Sequence, residues 1–136
     1  MPDTPNFPRP IPSFDAQPYW DGCQRGELWM QRHKESGQWY PPNLFGPCEV
    51  LGREWVRVSG RGTVYSYTII THPVHPAARE KVPYNVVQVQ LDEDPELIMV
   101  SSLEHVSNED IRIGMPVEVI FEEHEPEVYL PKFKPV

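Results

Sequence analysis

LIMVSSLEHVSNEDIRIGMPVEVIFEE, residues 97–123, runs from strand into a short helix and back into strand. LIMVSSL (97–103) is apolar and β-prone. SNEDIRIG (107–114) has room for one helical turn. Ser107 stands at its N-cap, and the acids that follow suit the positive end of a helix. MPVEVIFEE (115–123) alternates, with Val117, Val119 and Phe121 on one face, the period of a half-buried strand.

Three more strands surround this passage. GRG (60–62) turns the chain into TVYSYTII (63–70), rich in β-branched and aromatic residues. YNVVQVQL (84–91) sets Val87, Val89 and Leu91 on one face and Gln88 and Gln90 on the other. DEDPE then turns the chain toward residue 97, and VYLPKF (128–133) is a short last strand. Three strands, a short helix and two strands is the order of a five-stranded OB-fold barrel. Closing the barrel removes the sheet edges that an open sheet would leave.

Ahead of the barrel the texture differs. Seventeen of the 136 residues are proline. They cluster at 2–18, 41–47, 73–83 and the C-terminus, where fixed φ and missing donors disfavour helix and central strand. Residues 1–16 are expected as an extended arm, with Phe7, Ile11 and Phe14 available for packing. A helix from Pro18 to about Arg25 follows, capped by Asp15 or Gln17 and stopped at Gly26, with Tyr19, Trp20 and Cys23 as its apolar face. ELWMQR (27–32), a turn at SG (36–37) and QWY (38–40) form a small hairpin. PPNLFGPCEVLG is loop and REWVRV (53–58) a further strand. The expected organisation is therefore an arm at 1–16, a helix and ribbon at 17–58, and the barrel at 59–136.

Charge and composition narrow the function. A net charge of −8 disfavours a phosphate-tracking nucleic-acid surface. Two cysteines, Cys23 and Cys48, are too few for a disulfide framework and fit a reducing cytoplasm. The first fifteen residues lack the apolar core of a signal peptide, and no apolar run reaches membrane-spanning length. The expectation is a soluble cytoplasmic protein.

PYWDGCQRGELWMQR, VSGRGTVYSYTII, PYNVVQVQLDED, the 97–123 passage and YLPKFKP resemble, in order and spacing, the acyl-CoA-associated zinc-ribbon/OB-fold proteins. The likeness spans roughly residues 15–135. It implies a non-catalytic accessory subunit of a thiolase-superfamily enzyme, a thiolase or sterol-carrier-type aldolase, in lipid or steroid breakdown. The barrel would contact the CoA part of the substrate while the ribbon and N-terminal helix dock on the partner enzyme. The ribbon departs from the family pattern. Its first knuckle should read Cys, two residues, Cys, Gly, and here it is His33, Lys34, Glu35, Ser36, Gly37. The second should be C-P-x-C, and the match is Gly46, Pro47, Cys48, Glu49. The ligand positions His33, Ser36, Gly46 and Glu49 do not make a usual zinc donor set. The ribbon is thus expected to be a metal-free, rubredoxin-like element held by packing. Trp29, Trp39, Tyr40, Leu44, Phe45, Val50, Leu51 and Trp55 are dense there. No cofactor is expected.

Within that reading Arg61, Arg79, Lys81 and His72 are the candidates to meet CoA, the last three from the loop THPVHPAAREKVP, which borders a barrel face. Tyr19, Trp20, Trp29, Trp39 and Phe45 are the candidates for the partner interface. The acidic runs at 92–96 and 122–127 read as solvated charge. Ser101 and Ser102 lack a nucleophile elbow. Two other functions compete: a single-strand nucleic-acid module, which the fold permits and the charge opposes, and a small enzyme with His72 or His75 as base.

Overall fold

The computed structural model describes residues 10–11, 14–42 and 46–136. Phe7, Leu44 and Phe45, and with them most of the proposed arm, lie outside the described residues, as does the side chain of Phe14. The arm ends sooner than its prolines suggest, because Phe14–Ala16 already form a 3-10 turn leading into α1, Gln17–Arg25. Pro18 occupies the first turn of α1, where its missing N–H costs nothing. Gly26 stops the helix in the left-handed conformation, its N–H on the Cys23 carbonyl. The cap differs from expectation: Ala16 holds the N-cap position with no side-chain cap. Gln17 spends its amide on Asp21 instead, at 2.8 Å.

Two antiparallel sheets follow. The first contains β1 (Leu28–His33), β2 (Trp39–Tyr40) and β3 (Arg53–Val58), in the order β2-β1-β3. The expected hairpin therefore gains a third strand, since β3 pairs with β1 from Leu28↔Val58 to His33↔Arg53. The second contains β4 (Arg61–Ile70), β5 (Tyr84–Leu91), β6 (Ile98–Ser101), β7 (Pro116–Glu125) and β8 (Val128–Pro135) in the order β6-β5-β4-β7-β8. Between β6 and β7 the chain makes a 3-10 turn, Asn108–Asp110, too short for an α-helix. Ser107 sits at its N-cap but gives its hydroxyl to Asp110 Oδ2 at 2.8 Å rather than capping the backbone. The last strand is longer than VYLPKF; at the end of the sheet order it tolerates Pro131 and Pro135.

The sheet curls until its two ends meet. Leu103, just past β6, bridges Phe133 of β8 in parallel. The Phe133 N–H donates to the Ser102 carbonyl at 3.0 Å, and its own carbonyl accepts from Glu104 N–H at 2.7 Å. Ser101 Oγ adds a bond to the Pro131 carbonyl at 2.9 Å. This is the five-stranded OB fold, with the closing strands in contact. The seam also needs Asn85 of β5, only 7% exposed. Asn85 donates Nδ2 to the Leu103 carbonyl at 2.9 Å and accepts the Leu103 N–H on Oδ1 at 2.6 Å. A side-chain amide thus satisfies the Leu103 backbone groups that the Phe133 bridge does not use.

One buried cluster fills both sheets. Leu28, Met30 and Val58 of the first join Val64, Val87, Val89, Leu91, Val117 and Phe133 of the second, with Leu97 and Ile111 from the connections around β6. Only Ser59 and Gly60 separate β3 from β4. Gly60 has φ +78, and a Cβ there would collide with Val119, whose N–H binds the Gly60 carbonyl at 2.7 Å. The Ser59 N–H is held by Glu93 Oε2 at 2.8 Å. Among the described residues no helix is long and apolar enough to cross a membrane.

Asn85→Ala would strand a buried N–H and C=O at Leu103. It is expected to lower unfolding free energy by about 2–4 kcal/mol in urea denaturation, against about 1 kcal/mol for Ser101→Ala, which removes one half-buried bond.

Candidate functional site

The seam leaves a cleft of about 600 Å³ on the barrel surface. Its floor is the start of β5 and the Ser101–Glu104 stretch. Its walls are Glu122 and His124 of β7 and Leu130 and Lys132 of β8, with Lys81 at the lip. Lys132 Nζ lies between Glu104 (3.4 Å) and Glu122 (3.3 Å), so its charge is already balanced by acids. Lys81 is an exposed cation among the lining residues. Asn85 and Asn108, the latter donating to the Pro83 carbonyl at 3.2 Å, fix the floor in place.

The candidate cations do not converge. Lys81 lines the cleft, whereas His72 and Arg79 are exposed elsewhere in the loop between β4 and β5. His75 caps a 3-10 turn there, Pro76–Ala78, its Nδ1 accepting the Ala77 N–H at 3.0 Å. Arg61 stands at the other end of the sheet. Its neighbour Gly62 pairs with Leu91, while the cleft is built on Tyr84–Val86, about 20 Å back along β5 at strand rise.

The ribbon closes on itself through side chains. Where a metal knuckle would set its first ligand, His33 Nδ1 accepts the Ser36 N–H at 3.1 Å, and Ser36 Oγ accepts the Gln38 N–H at 3.2 Å. The two turns are joined by Lys34 N–H on the Gly52 carbonyl at 2.9 Å. Gly52 has φ +71, and a Cβ there would sit 3.1 Å from His33 Nε2, so the imidazole packs straight onto the opposite turn. Glu49 is exposed, and Cys48 is buried. Among the described residues no three His, Cys, Asp or Glu side chains gather as a metal site.

A second interaction firms this element. The Arg53 guanidinium stacks 3.5 Å from the centre of the Tyr40 ring and donates Nη1 to Gln31 Oε1 at 3.2 Å. Gln31 is fully buried, and its Nε2 has no partner. Arg32 lies over Trp39 at 5.4 Å.

The docking aromatics divide. Tyr19 packs against the core and meets Trp20 edge-on at 5.0 Å; burial pushes its hydroxyl well above the usual phenol range. Trp39 also packs against the core. Trp20 and Trp29 remain partly exposed near α1. Trp29 donates Nε1 to Glu27 Oε1 at 3.1 Å. That bond, then the Arg25 contact, holds the Glu27 carboxyl below the usual range. Sequence reading missed Asn85 and the Arg53–Gln31 pair. Asn85 had a signal, since it continues the inward series of Val87, Val89 and Leu91 as its one polar member. Gln31 had none beyond its place in an apolar strand.

A β-barrel of OB type with a ribbon and helix packed on its core is a binding architecture, and comparison with known proteins gives it a family. The model of the ChsH2 C-terminal OB-fold domain matches residues 55–122. A chain in the solved structure described as the "Ltp2-ChsH2(DUF35) aldolase" superposes with a TM-score of 0.77 at 33% identity, covering 93% of this chain and 98% of that one. A Thermomonospora curvata protein named "Probable enoyl-CoA hydratase alpha subunit" is 35% identical over 130 residues, 94% of this chain. The 3-oxo-4,17-pregnadiene-20-carboxyl-CoA hydratase alpha subunit of Mycobacterium tuberculosis is 31% identical over 114 residues, 83% of this chain. The chain spans 40% and 35% of the lengths of these two relatives. It belongs to the ChsH2 C-terminal OB-fold family, proteins tied to acyl-CoA enzymes.

Arg53→Ala would remove the ring contact and leave the Gln31 oxygen buried without a donor. A loss of about 2–3 kcal/mol is expected in chemical denaturation. The thiols give an independent check. Burial pushes Cys23 up to about 12 and also raises Cys48, with Glu49 adding to the latter. At about pH 8 a disulfide reagent should react with neither thiol in the native chain and with both after unfolding.

Proposed function

We propose that this chain is a non-catalytic accessory subunit of a thiolase-superfamily enzyme acting on acyl-CoA in lipid or steroid breakdown. The observation that carries the reading is the likeness, along nearly its whole length, to a chain of an aldolase assembly at 33% identity. The two relatives support the same substrate class, both being named as alpha subunits of CoA-ester hydratases. In this reading Trp20 and Trp29, the partly exposed rings beside α1, meet the partner enzyme, where aromatic side chains commonly anchor interfaces. The cleft faces the substrate, with Lys81 as a charge-assisted donor to a CoA phosphate. The reading assigns no metal to the ribbon, because His33, Ser36, Gly46 and Glu49 are not a usual zinc donor set. The net charge of −8 speaks against the nucleic-acid alternative.

Co-expression with a thiolase-like enzyme is the test. The two chains are expected to co-elute in size-exclusion chromatography after chelator treatment, and the partner's activity on its acyl-CoA to fall when this chain is withheld. Separate elution of two well-folded proteins would refute the assignment.

A further inference from the structure

Among the described residues the longer edges of the two sheets are defended, with one exception; β6, at the end of the sheet order, is only four residues long. In β8 the edge carries Pro131, Lys132, Lys134 and Pro135, and in β3 it carries Arg53, Glu54 and Arg57. β2 is two residues long, and β7 ends in Glu122, Glu123 and Glu125. Proline, charge and brevity are the usual means of keeping a strand edge from pairing with another chain. The exception is the second half of β4. Arg61–Thr63 pair with β7, and Val64 reaches its backbone to Gly114 and Met115. Tyr65 is an irregularity in the ladder with β5, and from Ser66 to Ile70, among the described residues, the strand pairs with β5 alone, in register from Ser66↔Gln88 to Ile70↔Tyr84. Alternate N–H and C=O groups on its other side point away from the sheet. YSYTII holds no charge and no proline, and it is all β-branched or aromatic apart from one serine. Tyr65 is 52% exposed and Tyr67 39%.

We propose that the outer edge of β4, Tyr65–Ile70, takes up an extended strand from the partner enzyme, adding it to the barrel sheet by main-chain hydrogen bonds. This rests on the reading of the chain as a subunit of an enzyme complex. Other occupants fit less well. The chain's own first residues carry Pro2, Pro5 and Pro8, each lacking a donor that a ladder needs. A second copy would set two chains of net charge −8 edge to edge. The partner segment is uncharged along its pairing length. An acidic residue lies beyond the end that meets the 71–81 loop, where Arg79 and Lys81 outweigh Glu80 by one charge.

The test uses the co-expressed complex and three single variants: Tyr65→Lys and Tyr67→Lys on the edge, and Val136→Lys, 71% exposed at the C-terminus, as a surface control. The edge variants should melt like wild type yet bind the partner at least about tenfold more weakly, with the control unchanged. Amide exchange over 65–70 should be fast in the free chain and protected in the complex. A wild-type complex that tolerates both edge variants and leaves 65–70 unprotected would overturn this proposal alone. A homodimer of the isolated chain that Tyr67→Lys dissociates would also overturn it, by giving the edge to a second copy. Absence of any wild-type complex would sink the accessory-subunit reading and this one with it.

Discussion

Phe133 does two things at one place, and the rest of the barrel depends on it. Its ring is fully buried and among the largest side chains of the core, while its backbone bonds to Ser102 and Glu104 across the seam. Burial holds the strand in, and the hydrogen bonds set how the two ends of a five-stranded sheet come together. An OB-type sheet would otherwise stay open, with the inner faces of β5 and β7 toward water. The cost falls on Leu103, which lies beyond the ladder of β6 and still needs both backbone groups satisfied. Asn85 meets that need from the neighbouring strand, as a buried amide must be paired to be tolerated.

The same seam produces the cleft. Because β6 ends at Ser101 and β8 continues past it, the surface dips there, and polar groups that brace the closure line the hollow. The Glu104–Lys132–Glu122 arrangement is therefore partly structural, and exposed pairs of this kind contribute little stability each. An anionic ligand would compete with those acids for Lys132. The four cations chosen from sequence shared only their charge. Strand register then separated Arg61 from Lys81 by the length of β5.

The barrel was legible in the sequence because its signal is alternation, and alternation is what a half-buried strand physically requires. YNVVQVQL was readable to the residue, since Val87, Val89 and Leu91 have to face inward together. The helix was legible through Pro18 and Gly26 for equally local reasons. What did not show was tertiary. The pairing of β3 with β1 depends on residues twenty to thirty positions apart, and the 3-10 turn at Asn108–Asp110 leads straight into the fully buried Ile111. The ribbon was readable only in outline. The missing cysteines announced that something else must hold it, but nothing in HKESG told that the imidazole would cap its own turn.

The tie between ribbon and barrel runs through Val58, Ser59 and Gly60, with Glu93 and Val119 gripping the two residues that might have flexed. Leu28 and Met30 push into the same apolar mass as Phe133. Both junction residues are thus tied to the barrel. Whatever seizes the helix end therefore also aims the barrel mouth, as a handle aims a tool, without a separate step of alignment.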